Sequence, residues 1–286
     1  MRNKQGYKQS SEARFQAPPI PEDITFAMLP RVSQARLRGL SKDLAQVVGQ
    51  HIVASQQLIS AEPELAYLHA QAAARKASRV EFARETLGIV AYQLGNYKVA
   101  LRELRTARRI NGYNDYLPIM ADCERGLGNP EKALAIAASP EAKELGESER
   151  IEMTIVAAGA RADLGEMEAG LALLNREMRS RGLSTPCRLR LMEAKALFLD
   201  RLGRVDEAEQ IMRKVDAINE KYEDPRDEEV VVYDLEDDED VDATPNATTP
   251  VVKPDVMQEN VAPEIKAEIV QEPAERVQSA AVMATE

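Results

Sequence analysis

Glu85 to Ile110 reads ETLGIVAYQLGNYKVALRELRTARRI. Leu87, Ile89, Leu94, Tyr97, Leu101 and Leu104 recur at helical spacing on either side of Leu94-Gly95-Asn96. That pattern predicts two amphipathic helices turned antiparallel at the glycine. Gly88, Ala100 and Ala107 fall where two packed backbones come closest. A hairpin of this size cannot cover its own apolar surface, so copies are expected on either side of it.

The copies are there. A Leu-Gly pair occurs at Leu94-Gly95, Leu127-Gly128, Leu164-Gly165 and Leu202-Gly203, at intervals of 33, 37 and 38 residues. Seven positions before each glycine stands a small residue: Gly88, Ala121, Ala158 and Ala196. Five positions after it stands another: Ala100, Ala133, Gly170 and Ala208. Glycine ends a helix in the left-handed conformation at little cost, and small residues on facing helices allow a short interaxial distance.

The pattern resembles the tetratricopeptide repeat (TPR), most closely in the first copy through Leu87-Gly88, Tyr92, Gly95, Tyr97, Ala100, Leu104 and Ala107. Later copies are looser. The chain has no tryptophan, and Pro140 stands where the second copy should carry its late alanine, which shortens that helix to about Glu131–Ala138. The resemblance implies an all-α, right-handed α-solenoid of about four TPR-like hairpins over residues 80–222.

The rest of the chain is assigned around that array. Residues 1–21 are polar and end in Ala17-Pro-Pro-Ile-Pro21, a composition expected of a disordered lead-in. Residues 22–40 are assigned short helices broken by Pro30, and residues 41–79 an atypical hairpin capping the array. In that cap, Ser41 precedes a helix with Leu44, Val47, Val48, His51, Ile52 and Ser55 on one side. Glu141–Glu149 reads as a charged connector. Glu223–Asp242 carries a net −11 and residues 243–286 a net −4, so the body before them carries +4 of a total of −11. Residues 223–286 are expected to form a disordered acidic tail.

Catalytic and cofactor signals are missing. No Gly-rich loop follows a predicted strand, and no Ser or Cys sits in a nucleophile motif. His51 and His69 fall on separate helices of the cap without ligands at metal spacing, and Cys123 and Cys187 read as small core residues. Neither a secretory signal nor a membrane span is recognised. The expectation is a cytoplasmic, non-enzymatic protein with no cofactor and no metal.

In the TPR family the first helix of each hairpin lines the concave face. Carried over by register from the glycines, that groove would comprise Glu85, Ile89, Tyr92 and Gln93, then Asp122 and Arg125, then Glu152, Ile155 and Asp163. The fourth copy adds Arg190, Glu193, Leu197, Asp200 and Arg201. The set is of mixed charge, and it lacks the Lys and Asn residues with which chaperone-binding members clamp a C-terminal carboxylate. The implied function is a scaffold that holds a peptide or helix of another protein. The alternative is a nucleic-acid- or ribosome-associated factor using a basic patch of Arg75, Lys76, Arg79, Arg102, Arg105, Arg108 and Arg109. Sparse aromatics for base stacking disfavour that alternative. A third use of the patch is intramolecular, as a surface for the acidic tail.

Overall fold

Gly95, Gly128, Gly165 and Gly203 have φ of 69, 74, 79 and 74°, so all four aligned glycines take the left-handed conformation. After each one, the next amide reaches back five residues to a carbonyl. These bonds are Asn96 to Ala91, Asn129 to Glu124, Glu166 to Arg161 and Arg204 to Leu199, each 2.8 Å. They occupy carbonyls that a helix end leaves without partners. The chain reverses in one residue, and the next helix begins at once.

The structure, a computed structural model, describes residues 15–222. Its helices are α1 (Arg31–Ala35), α2 (Lys42–Leu58), α3 (Pro63–Lys76), α4 (Glu81–Gln93), α5 (Tyr97–Asn111), α6 (Leu117–Gly126), α7 (Pro130–Ala137), α8 (Glu147–Asp163), α9 (Met167–Glu177), α10 (Thr185–Arg201) and α11 (Val205–Tyr222). Two 3-10 turns, Phe26–Met28 and Glu141–Glu144, complete them. Consecutive helices from α2 onward pair as hairpins α2/α3, α4/α5, α6/α7, α8/α9 and α10/α11, and the second helix of each hairpin packs on the first helix of the next. The result is an all-α solenoid of TPR-like hairpins. No strand occurs among the described residues.

The small residues do the work their register predicts. A Cβ built on Gly170 of α9 would lie 2.7 Å from the carbonyl oxygen of Ala158 in α8, so the backbones themselves touch. One built on Gly88 of α4 would lie 2.7 Å from Leu104 of α5. Ala100, Ala121, Ala133 and Ala158 are fully buried at the same registers. Around them Leu104, Ile151, Leu174, Leu191 and Leu199 lose nearly all solvent contact, each contributing about 1.5–3 kcal/mol. At the far end Ala208 and Val215 of α11 are buried, while Met212 and Val205 are exposed.

Three departures from the sequence reading have physical causes. The stretch Glu141–Glu149 is more than a charged connector: its 3-10 turn packs on α8, and Ala142 and Leu145 are buried. The apolar side predicted for α2 is too narrow, because Gly49, Val53 and Ala54 are buried as well. A second layer covers them, formed by Ile24, Leu29 and Leu37 with Ile20 and Phe26 at its edge. Gly49 makes this layer possible, since a Cβ there would lie 2.4 Å from the Phe26 ring. Residues 15–21, grouped by composition with the lead-in, touch the cap: Ile20 packs on that core and Phe15 lies 4.4 Å beneath the Arg75 guanidinium. The acidic tail lies outside the described residues.

Candidate functional site

The first helices α4, α6, α8 and α10 meet through long polar side chains, and six of the fourteen residues picked by register are in those contacts. Tyr92 of α4 donates its hydroxyl to Asp122 of α6 at 2.5 Å. Arg125, one turn on, bonds Asp122 at 2.7 Å and reaches across to Asp163 of α8, also at 2.7 Å. Gly159 of α8 gives this arginine its berth, because a Cβ there would fall 2.6 Å from the guanidinium carbon. Arg190 of α10 bonds Glu152 of α8 at 2.7 Å and lies 3.9 Å from Glu193.

A third arginine repeats the arrangement at the N-terminal end. Arg36, just past α1, pairs with Glu81 at 3.0 Å and with Glu85, both on α4, and stacks 4.4 Å over the Phe82 ring. Glu85 also accepts from the Tyr116 hydroxyl at 2.6 Å, and Asn111 donates to that hydroxyl at 2.9 Å. Register from the glycines finds Glu85 but misses Arg36, Glu81, Tyr116 and Asn111. Glu81 carried a usable signal, being one helical turn before Glu85. Arg36 carried none, because it comes from outside the repeats.

The electrostatics of the face follow from this pairing. Each of Arg36, Arg125 and Arg190 lies between two carboxylates. Burial opposes the charge on Arg125, and its bonds to Asp163 and Asp122 outweigh that, raising its pKa. Arg190 behaves likewise through Glu152. Burial, then the neighbouring Asp122, pushes the Tyr92 phenol well above its usual range, so it remains a neutral donor. Three cations against six carboxylates leave these clasps with an acidic excess.

The remaining predicted residues complete the face without joining a clasp. Ile89, Ile155 and Leu197 are half-buried, while Gln93, Asp200 and Arg201 are exposed. Tyr92 is a bridge between hairpins rather than a free groove side chain.

The basic patch does not form one surface of free cations. Arg102 and Arg84 both bond the buried Glu103, at 2.8 and 2.6 Å. Arg105 bonds the buried Glu124 at 2.7 Å, and Arg108 lies 3.6 Å from Glu141. Arg75 is stacked on Phe15, whereas Lys76, Arg79 and Arg109 are exposed.

The two histidines face one another inside the cap. Their Nδ1 atoms are 3.0 Å apart, and the residues are 2% and 0% exposed. One ring must donate and the other accept. Nε2 of His69 is buried without a hydrogen-bond partner. A bare lone pair there costs less than an orphaned N–H, so His69 is the donor through Nδ1 and His51 the acceptor. Among the described residues no three His, Cys, Asp or Glu side chains stand together as a metal site, and no helix is long and apolar enough to cross a membrane.

No family model and no curated protein matches this chain. Among solved structures, the crystal structure of a Podosopora anserina "putative kinesin light chain nearly identical TPR-like repeats" is similar to it at 16% identity, over 67% of this chain and 98% of that one, with a TM-score of 0.46.

Proposed function

We propose that this protein is a non-enzymatic scaffold whose first-helix face holds a basic segment, extended or helical, of a partner protein. The observation that carries the reading is the clasp repeated along α4, α6, α8 and α10, each arginine between two carboxylates. Clasped arginines are not available to an acidic ligand, whereas the second carboxylate of each clasp keeps unused acceptor capacity. Half-buried Ile89, Ile155 and Leu197 supply apolar steps between the charges. A cationic segment with interspersed apolar residues complements that sequence of surfaces.

The test is selection from a random peptide library on immobilised full-length protein, with the Glu193→Lys/Asp200→Lys variant as the counter-screen. Both positions are exposed, so the variant keeps its fold. Enrichment of Lys- and Arg-rich peptides that fail to bind the variant supports the reading. Enriched peptides without a cationic bias, or binding that ignores the variant, refute it.

A further inference from the structure

A second surface lies away from the clasps and carries the opposite charge. Helices α5 and α7, from neighbouring hairpins, flank the end of α6 and leave an open cleft of about 480 Å³. Lys98, Arg102, Arg105 and Lys132 line it. All four are exposed. The carboxylate in the lining is Glu124, which is buried and is already held by Arg105 at 2.7 Å, Asn129 at 3.3 Å and Lys132 at 3.9 Å. Lys98 has no carboxylate within 4.0 Å among the described residues. The lining therefore keeps a formal excess of three positive charges. Half-buried Leu127 completes it with apolar surface, above the buried Leu101.

We infer that this cleft binds an acidic peptide segment of a partner protein, with carboxylates on Lys98 and Lys132, the paired Arg102 and Arg105 adding to the positive field, and one apolar side chain over Leu127. The site differs from the first-helix face in position and in sign, so the two are independent. A polyanion of the nucleic-acid class fits less well. The cleft has no aromatic side chain on which a base could stack. A peptide carboxylate can sit at the rim, on Lys98 or Lys132, while its apolar neighbour covers Leu127.

The experiment is fluorescence anisotropy with a fluorescein-labelled peptide alternating Glu or Asp with Leu. Its Leu→Ser counterpart and a labelled single-stranded oligonucleotide are the comparison probes. The proteins are the full chain and residues 1–229, which contain every described helix. Binding of the acidic peptide to the 1–229 protein should weaken by about tenfold or more in Lys98→Glu/Lys132→Glu and fall with added salt. The milder Lys98→Gln/Lys132→Gln should show a smaller loss in the same direction, with circular dichroism unchanged in both. The Leu→Ser peptide should bind about fivefold or more weakly, since it forgoes apolar burial. The inference is overturned if the peptide does not bind the folded 1–229 protein, or if charge reversal at Lys98 and Lys132 leaves binding unchanged. It is equally overturned if the Leu→Ser peptide binds as tightly or the oligonucleotide displaces the peptide.

Discussion

Acidification should loosen the cap before it touches the rest of the array, through the buried His51–His69 pair. Burial, then the facing His69 and the charge of Lys76, pushes His51 down to about 4, and burial lowers His69 as well. In the unfolded chain both return to about 6.5. The unfolded state then binds protons that the folded state refuses, so stability is full above about pH 6.5 and drains away as pH falls toward 4. Linkage for His51 alone gives a loss of about 2 kcal/mol between about pH 7.5 and about pH 5, approaching about 3 kcal/mol at lower pH. His69 adds a loss of the same sign. The structural cause is plain in the geometry. A second proton would set two Nδ1–H groups against each other at 3.0 Å, or place an N–H on the partnerless Nε2 of His69. Urea unfolding followed by circular dichroism across this range measures the effect. The apolar pair His51→Leu/His69→Leu removes the titration and should flatten the pH dependence. An unfolding free energy that changes by less than about 0.5 kcal/mol in the wild type, or an equal change in the double variant, would refute the reasoning.

Three further outcomes follow from the packing. Gly170→Ala adds about 1 kcal/mol of helix propensity but drives a methyl into the Ala158 carbonyl at 2.7 Å, and overpacking of this kind costs about 1–3 kcal/mol. The protein should lose stability, and by more than in Gly88→Ala, which presses within 3 Å only on the Leu104 side chain; the reverse order in urea titrations would contradict the backbone contact. Arg125→Ala and Asp163→Ala, combined in a double-mutant cycle, should show a coupling of about 0.5–1 kcal/mol for their half-exposed pair, and a coupling indistinguishable from zero would remove the clasp as a joint between α6 and α8. Burial pushes the Cys123 thiol up to about 12 and raises Cys187 as well, so both of the chain's cysteines should react with Ellman's reagent far more slowly in the native protein than in urea. Fast reaction of either thiol before unfolding would contradict its burial.

The fold is more legible in the chain than the surface is, for a physical reason. The hairpin array was legible because its determinants are local and repeated. A glycine that must take positive φ, and small residues at fixed offsets from it, mark each copy whatever lies around it. Even the irregularity of the second copy was readable, since Pro140 cannot continue a helix and α7 stops at Ala137. The candidate surface was only half legible. Register located Tyr92, Asp122, Arg125, Asp163, Glu152 and Arg190 on successive first helices, but it could not pair them as the partners of one another that they are.

By itself, the sequence determined that helices form, where each one turns, and which sides approach closely, because those are properties of a residue and its neighbours within about a turn. Only the tertiary structure decided that residues 20–40 cover the back of α2, that Arg36 closes onto Glu85, and that two histidines 18 positions apart share one proton between their Nδ1 atoms. Those contacts depend on how hairpins stack and on which side chains span the gaps left between them, and no periodicity along the chain records that.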